Sequence, residues 1–138
     1  MRLALRIAVT VLGLAGTCAQ AAESQSVTQA RASAMTWLAL VDGAKFAESW
    51  DHAASLFKGI PKGDWEHAVR SARAPLGALK SRKFKSATLM KNPAGAPPGD
   101  YMLILFDAQF EKRDAAVEAV TPMREKDGSW KVSGYYIR

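Results

Sequence analysis

The sequence holds one cysteine, Cys18, and two histidines, His52 and His67, among 138 residues. A single thiol cannot close an internal disulfide, and there is no second cysteine for a zinc or redox motif. The histidines are not at the i, i+4 spacing of a zinc-binding helix. Each follows an acid, Asp51 or Glu66, that a helix would turn to a different face. No Gly-x-Gly-x-x-Gly follows a strand-like segment and no Gly-x-Ser-x-Gly elbow occurs, so a dinucleotide site and a hydrolase triad have no local support. Neither a metal nor a cofactor is expected. Gly 10 and Pro 6 are too few for a collagen-like or low-complexity chain.

What is present suits one ordinary domain. Hydrophobic residues make up 49% and charged residues 23%, and the length matches a single module of ~100–150 residues. Met1-Arg2 and Arg6 precede an uncharged, mainly apolar run, Ile7 to Gly16, and Ala19-Gln20-Ala21 supplies the small residues that a signal peptidase accepts. The run is far short of the ~20 residues that span a bilayer. A secretory signal over 1–21, cleavage between Ala21 and Ala22, a mature domain over 22–138, a periplasmic location and no stable membrane anchor are therefore expected. Cys18 would leave with the signal. Loss of Arg2 and Arg6 takes two charges from the formal +6, leaving a mildly basic domain.

The period of the apolar residues changes half-way along the chain. Ala30, Ala34, Trp37, Leu38 and Val41 recur at spacings of three and four, which predicts an amphipathic helix over Ser26–Val41, with Gly43 able to take a left-handed cap. Phe46, Trp50, Ala53, Ala54 and Phe57 predict a second helical arm over 44–58. Asp64 can cap a third, with Trp65, Ala68, Val69 and Ala72 inward until Ala74-Pro75. After Pro75, Phe84–Met90 alternates loosely, residues 92–99 form a turn-rich loop, and Tyr101–Phe110 reads as a buried central strand. Ala115–Met123 reads as a strand in which Pro122 must sit at an edge, a bulge or the strand end. Asp127-Gly128 predicts a hairpin into Trp130–Ile137. Three helices followed by four antiparallel strands make an α+β domain whose curved sheet is covered by the helices, leaving a conical hollow either filled or open to a ligand.

Specific residues then point to a family. Trp37-Leu38, Asp42-Gly43, Phe46, Ser49-Trp50, Trp65, Arg73, Leu76-Gly77 and Arg82 stand in the first half. Pro97-Pro98-Gly99-Asp100-Tyr101, Phe106, Phe110-Glu111-Lys112, Ala116-Val117-Glu118 and the run from Asp127 to Arg138 stand in the second. The set resembles the bacterial envelope family called domain of unknown function 4019, over about Ala32 to Arg138, with Gly134-Tyr135-Tyr136-Ile137-Arg138 its most specific part. Pro122 departs from the aliphatic habit of the family. The resemblance implies an exported domain without established activity. It also implies a cystatin-like cone of the nuclear-transport-factor-2-like or SnoaL-like kind, a shape shared by isomerases, dehydratases and binding modules.

Candidate residues follow from these placements. Asp42 and Glu118 are the acids nearest apolar surfaces, and in a hollow either could be a general base with a raised pKa. Against that stand a turn role for Asp42 and, for Glu118, a solvated face or pairing with Arg82 or Arg138. Trp37, Trp50, Tyr101 and Tyr135, from a set that also holds Trp65, Trp130 and Tyr136, could line a pocket for a flat or apolar ligand, although helical spacing makes them core residues first. An indole N–H or tyrosine hydroxyl without a protein partner would favour a ligand. Lys80–Lys85 carries four basic residues around Ser81 and Phe84. Export argues against nucleic acid, and a solvated edge strand guarded by lysines explains the run. The leading reading is a periplasmic binding or accessory domain whose partner is a small molecule or an envelope protein. The alternative is a small cofactor-free enzyme of the isomerase or dehydratase type acting on a small hydrophobic substrate, and a homodimer through the open sheet face is a further possibility.

Overall fold

The computed structural model describes the backbone from Ala15 and the side chains from Ser24. The expected Met1-Arg2 and Arg6 segment and most of the Ile7–Gly16 run lie outside the described residues. Helix α1 spans Ala15–Asp42, α2 spans Phe46–Asp51 and α3 spans Lys62–Arg73. Short 3-10 turns lie at Ser55–Gly59 and Ala74–Leu76. Four strands follow: β1 (Leu79–Lys91), β2 (Asp100–Phe110), β3 (Arg113–Arg124) and β4 (Trp130–Ile137), in an antiparallel meander of order β1-β2-β3-β4. The expected α+β class is thus observed, with helices on an open four-stranded antiparallel sheet. No helix among the described residues is long and apolar enough to cross a membrane.

The apolar stripe of α1 dictates its seat. Ala30, Ala34, Trp37, Leu38 and Val41 are buried, and α1 lies across the sheet, touching every strand. Beneath it the inward-facing residues of β2, Met102, Ile104, Phe106, Ala108 and Phe110, are almost fully buried. β2 is interior, as its dense apolar run predicts. Pro122 occupies one of its three allowed places, at a register shift between Thr121 and Pro122 where β3 meets β4.

Several local expectations are corrected. The helix is already formed at Ala15, well before Ser26, and β1 extends from Leu79 to Lys91 rather than from Phe84 to Met90. The second arm is interrupted: α2 stops at Asp51, and only a 3-10 turn covers Ser55–Gly59. Asp64 lies inside the first turn of α3, and the helix begins after Pro61 without a side-chain cap. In α3 Trp65, Val69 and Arg73 are buried, whereas Ala68 and Ala72 face solvent, so the inward stripe is rotated toward the arginine. The left-handed residue after α1 is Ala44, at φ 56°, and not Gly43. Ala44 N donates to Val41 O at 3.1 Å and Lys45 N to Leu40 O at 2.8 Å, the paired bonds of a Schellman ending. This ending places Asp42 at the mouth of the helix–sheet interface.

Candidate functional site

The end of β1 nearest α1 is irregular. Register shifts at Lys80 and Lys85 flank Arg82, whose position opposite Ala108 turns it toward the helices. The small Ala108 side chain leaves a lane across β2 toward β3. Arg82 reaches Glu118 through it: Nε donates to Oε1 at 2.7 Å and Nη2 to Oε2 at 3.2 Å. The same guanidinium grips Asp42, with Nη1 to Oδ2 at 2.8 Å and Nη2 to Oδ1 at 2.9 Å. The lysine run around it is solvated on an edge strand, as expected, but Arg82 itself is withdrawn, with only 6% of its side chain exposed. The choice of arginine is physical, since a planar fork can hold two carboxylates at once where an ammonium cannot.

A second arginine closes the cluster. Arg73, the last residue of α3, donates from Nη2 to Asp42 Oδ1 at 2.9 Å and from Nη1 to the Tyr135 hydroxyl at 3.4 Å, and its guanidinium lies 4.9 Å from the centre of the Phe110 ring. The Tyr135 hydroxyl in turn donates to Glu118 Oε2. Two arginines thus face two carboxylates, and Glu118, fully buried, has both oxygens occupied.

The electrostatics follow the geometry. Burial alone would raise the pKa of Asp42, but hydrogen bonds and charge from Arg82 and Arg73 outweigh it and hold the carboxyl below its ordinary value. Burial would loosen the Arg82 proton, yet Asp42 and Glu118 hold it more firmly than water does. Burial first, and then the Glu118 charge and hydrogen bond, push the Tyr135 hydroxyl well above the ordinary phenol range. A general base of raised pKa is therefore not found at Asp42. The pairing of Glu118 with Arg82 is one of the two partners anticipated for it, whereas Arg138 takes no part.

The described residues bring four of the six candidates together and leave two apart. Trp37, 3% exposed, packs against Phe57, Trp65 and Tyr135, with ring centres 5.3–6.1 Å apart, and so adjoins the ion cluster. Trp50 lies away from it, half-buried, its indole N–H bonded to Ile60 O at 2.7 Å and the Lys58 ammonium 4.0 Å from its ring centre. Tyr101 belongs to a separate cluster with Ala54 and Met123, and its hydroxyl donates to Pro97 O at 2.8 Å.

The family follows from comparison with known proteins. The description "Protein of unknown function (DUF4019)" matches residues 33–135, most of the chain. The chain belongs to the DUF4019 family. No curated protein and no solved structure matches it. Within this DUF4019 domain the residues that sequence reasoning left out of the site are Arg73 and Arg82, the latter weighed only as a partner for Glu118, whereas Trp130 stood in the aromatic set. All three stood in the family pattern, but no local signal marks Arg73 as buried or Trp130 as different from the other indoles. Among the described residues no three His, Cys, Asp or Glu side chains converge as metal ligands.

Proposed function

We propose that this DUF4019 protein is a non-catalytic domain of the periplasm that binds a small molecule or an envelope protein. The observation that carries the reading is the occupancy of Asp42 and Glu118: each carboxylate is held by an arginine. A carboxylate locked by two parallel N–H bonds is a poor proton acceptor, because taking a proton breaks a buried ion pair. The isomerase or dehydratase alternative needs one such acid free in a pocket. The order of helices and curved sheet supports a cone of the nuclear-transport-factor-2-like kind, in which the charged cluster acts as a staple between α1, α3 and the sheet. Export through the signal over residues 1–21 is part of the reading, and cell fractionation with mature-terminus sequencing tests it.

A thermal-shift screen against a ligand library, with pull-down from envelope extract, tests the binding role. A ligand or a retained partner is the expected outcome, and silence in both defeats the reading. The outer sheet face leaves Tyr136 61% exposed beside half-buried Leu103, Leu105 and Val117, which favours self-association there as a second, compatible arrangement. Sedimentation of the purified protein decides it.

A further inference from the structure

The tryptophans divide three to one. Trp37 Nε1 donates to Ser49 O at 2.8 Å, Trp50 Nε1 to Ile60 O at 2.7 Å and Trp65 Nε1 to Ser49 Oγ at 2.9 Å. Trp130 is 6% exposed, and its Nε1 has no hydrogen-bond partner. Leaving such a donor dry forfeits its hydration without return, and native proteins seldom do so without a reason.

The surroundings of Trp130 supply one. Trp130 and Leu40, with the α1 residues Ser33 and Trp37, line a groove of about 440 Å³ between α1, the end of α2 and β4. Thr36, His52 and Lys131 complete the groove, and none of its lining residues is acidic. Lys131 is exposed and makes no ion pair within 4.0 Å among the described residues, although it also borders Asp51, Glu125 and Asp127 on its other side and its charge reaches Asp127. The Arg124 guanidinium lies 5.1 Å from the centre of the Trp130 ring, where a cation draws electron density from the indole and sharpens its N–H as a donor. An apolar lining, an unmatched indole donor beneath it and one lysine at its margin define the complementary ligand: an apolar body that ends in an anion.

We propose that this groove binds a small apolar carboxylate, aromatic or short-chain aliphatic. Its body packs against Thr36, Leu40 and Trp130, one oxygen accepts from Trp130 Nε1, and the charge faces Lys131. The indole nitrogen lies beneath the groove surface, so the bond forms as the ring turns outward. This assigns a ligand class and a site to the binding function proposed above, and it rests on that reading.

The test is nuclear magnetic resonance of the purified protein labelled with 15N at tryptophan, titrated with benzoate, phenylacetate and octanoate, with benzyl alcohol as the neutral control. Trp130→Phe assigns the Trp130 signal by its disappearance. The expected result is that this indole resonance shifts saturably and furthest of the four with a carboxylate, that benzyl alcohol binds several-fold more weakly, and that Lys131→Ala weakens the acid about two- to fivefold, the size expected for losing an exposed charged partner. Binding of the acids to Trp130→Phe as tightly as to the native chain overturns the proposal. So does a Trp130 resonance that stays still at millimolar concentrations of all three. Should Trp130→Phe fail to fold, the native titration and Lys131→Ala still decide. A library ligand that leaves Trp130 unmoved defeats this site while the binding function stands, whereas silence in every screen defeats both.

Discussion

Two ends of the same helix–sheet interface treat buried polar groups in opposite ways. Around Arg82, four charged side chains and the Tyr135 hydroxyl bond to one another, so a region full of charge carries little unmet demand. Around Trp130 there is almost no charge inside, yet one donor goes unmatched. The contrast teaches that the more conspicuous cluster of functional-looking groups is the more fully satisfied one, both carboxylates being held by arginines, whereas the quieter end keeps a donor unused.

The comparison breaks most readily at the charged end. Arg82→Met leaves Glu118 buried without its bidentate partner, so urea unfolding is expected to register a loss of about 3–5 kcal/mol. Replacing both partners, Arg82→Met with Glu118→Leu, is expected to recover much of that loss, since no lone charge is then buried. A single variant no worse than the double would show that the pair is not a staple.

The next effect separates the tryptophans. Trp65→Phe removes the bond that the Ser49 hydroxyl accepts, while that hydroxyl still donates to Phe46 O, and is expected to cost about 0.5–1.5 kcal/mol. Trp130→Phe removes no hydrogen bond, so its cost should stay below that of Trp65→Phe by about 0.5 kcal/mol or more in the same unfolding experiment.

pH sharpens the contrast at smaller amplitude. The Asp42 carboxyl is depressed in the folded state, so its stabilisation is complete above the ordinary value near 3.8 and disappears as pH falls through the lower folded value. The Tyr135 hydroxyl is raised, so its stabilisation is complete below the ordinary value near 10 and disappears as pH rises through the higher folded value. Thermal unfolding against pH should therefore show an acid limb that Asp42→Asn flattens and an alkaline limb that Tyr135→Phe flattens. The smallest effect is a gain. Ala44 holds a left-handed conformation at φ 56° that glycine adopts freely, so Ala44→Gly is expected to stabilise by about 0.5–1 kcal/mol in denaturant unfolding.

The broad architecture was legible because its signals are periodic. The stripe from Ala30 to Val41, the buried run Tyr101–Phe110 and the Asp127-Gly128 hairpin each carry a repeat or a turn dipeptide that physics reads locally. The charged cluster was half legible. Asp42 and Glu118 stood out as acids near apolar positions, but the inward turn of Arg82 depends on register shifts at Lys80 and Lys85, and such a shift erases the alternation that would reveal it. Arg73 was hidden because α3 presents a face rotated from its apolar stripe. Trp50 and Tyr101 look like Trp37 and Tyr135 in sequence. Only the tertiary arrangement separates them, since Trp50 bonds to Ile60 and Tyr101 to Pro97. The unmatched Trp130 donor leaves no trace in sequence, because what distinguishes it is a partner missing in space.

The meander also makes every strand pairing local in the chain. Strands adjacent in the sheet are adjacent along the chain, so each can zip onto its predecessor through a short loop. The first helix meets its chain neighbour α2 through Trp37 Nε1 and Ser49 O, but its bonds to the sheet are remote: the Ser33 hydroxyl bonds to Trp130 O across 97 positions, and Arg124 bonds to the Ser26 hydroxyl across 98. The docking of α1 on β4 thus waits until the intervening chain has been made, and that closure carries a large loop-entropy cost.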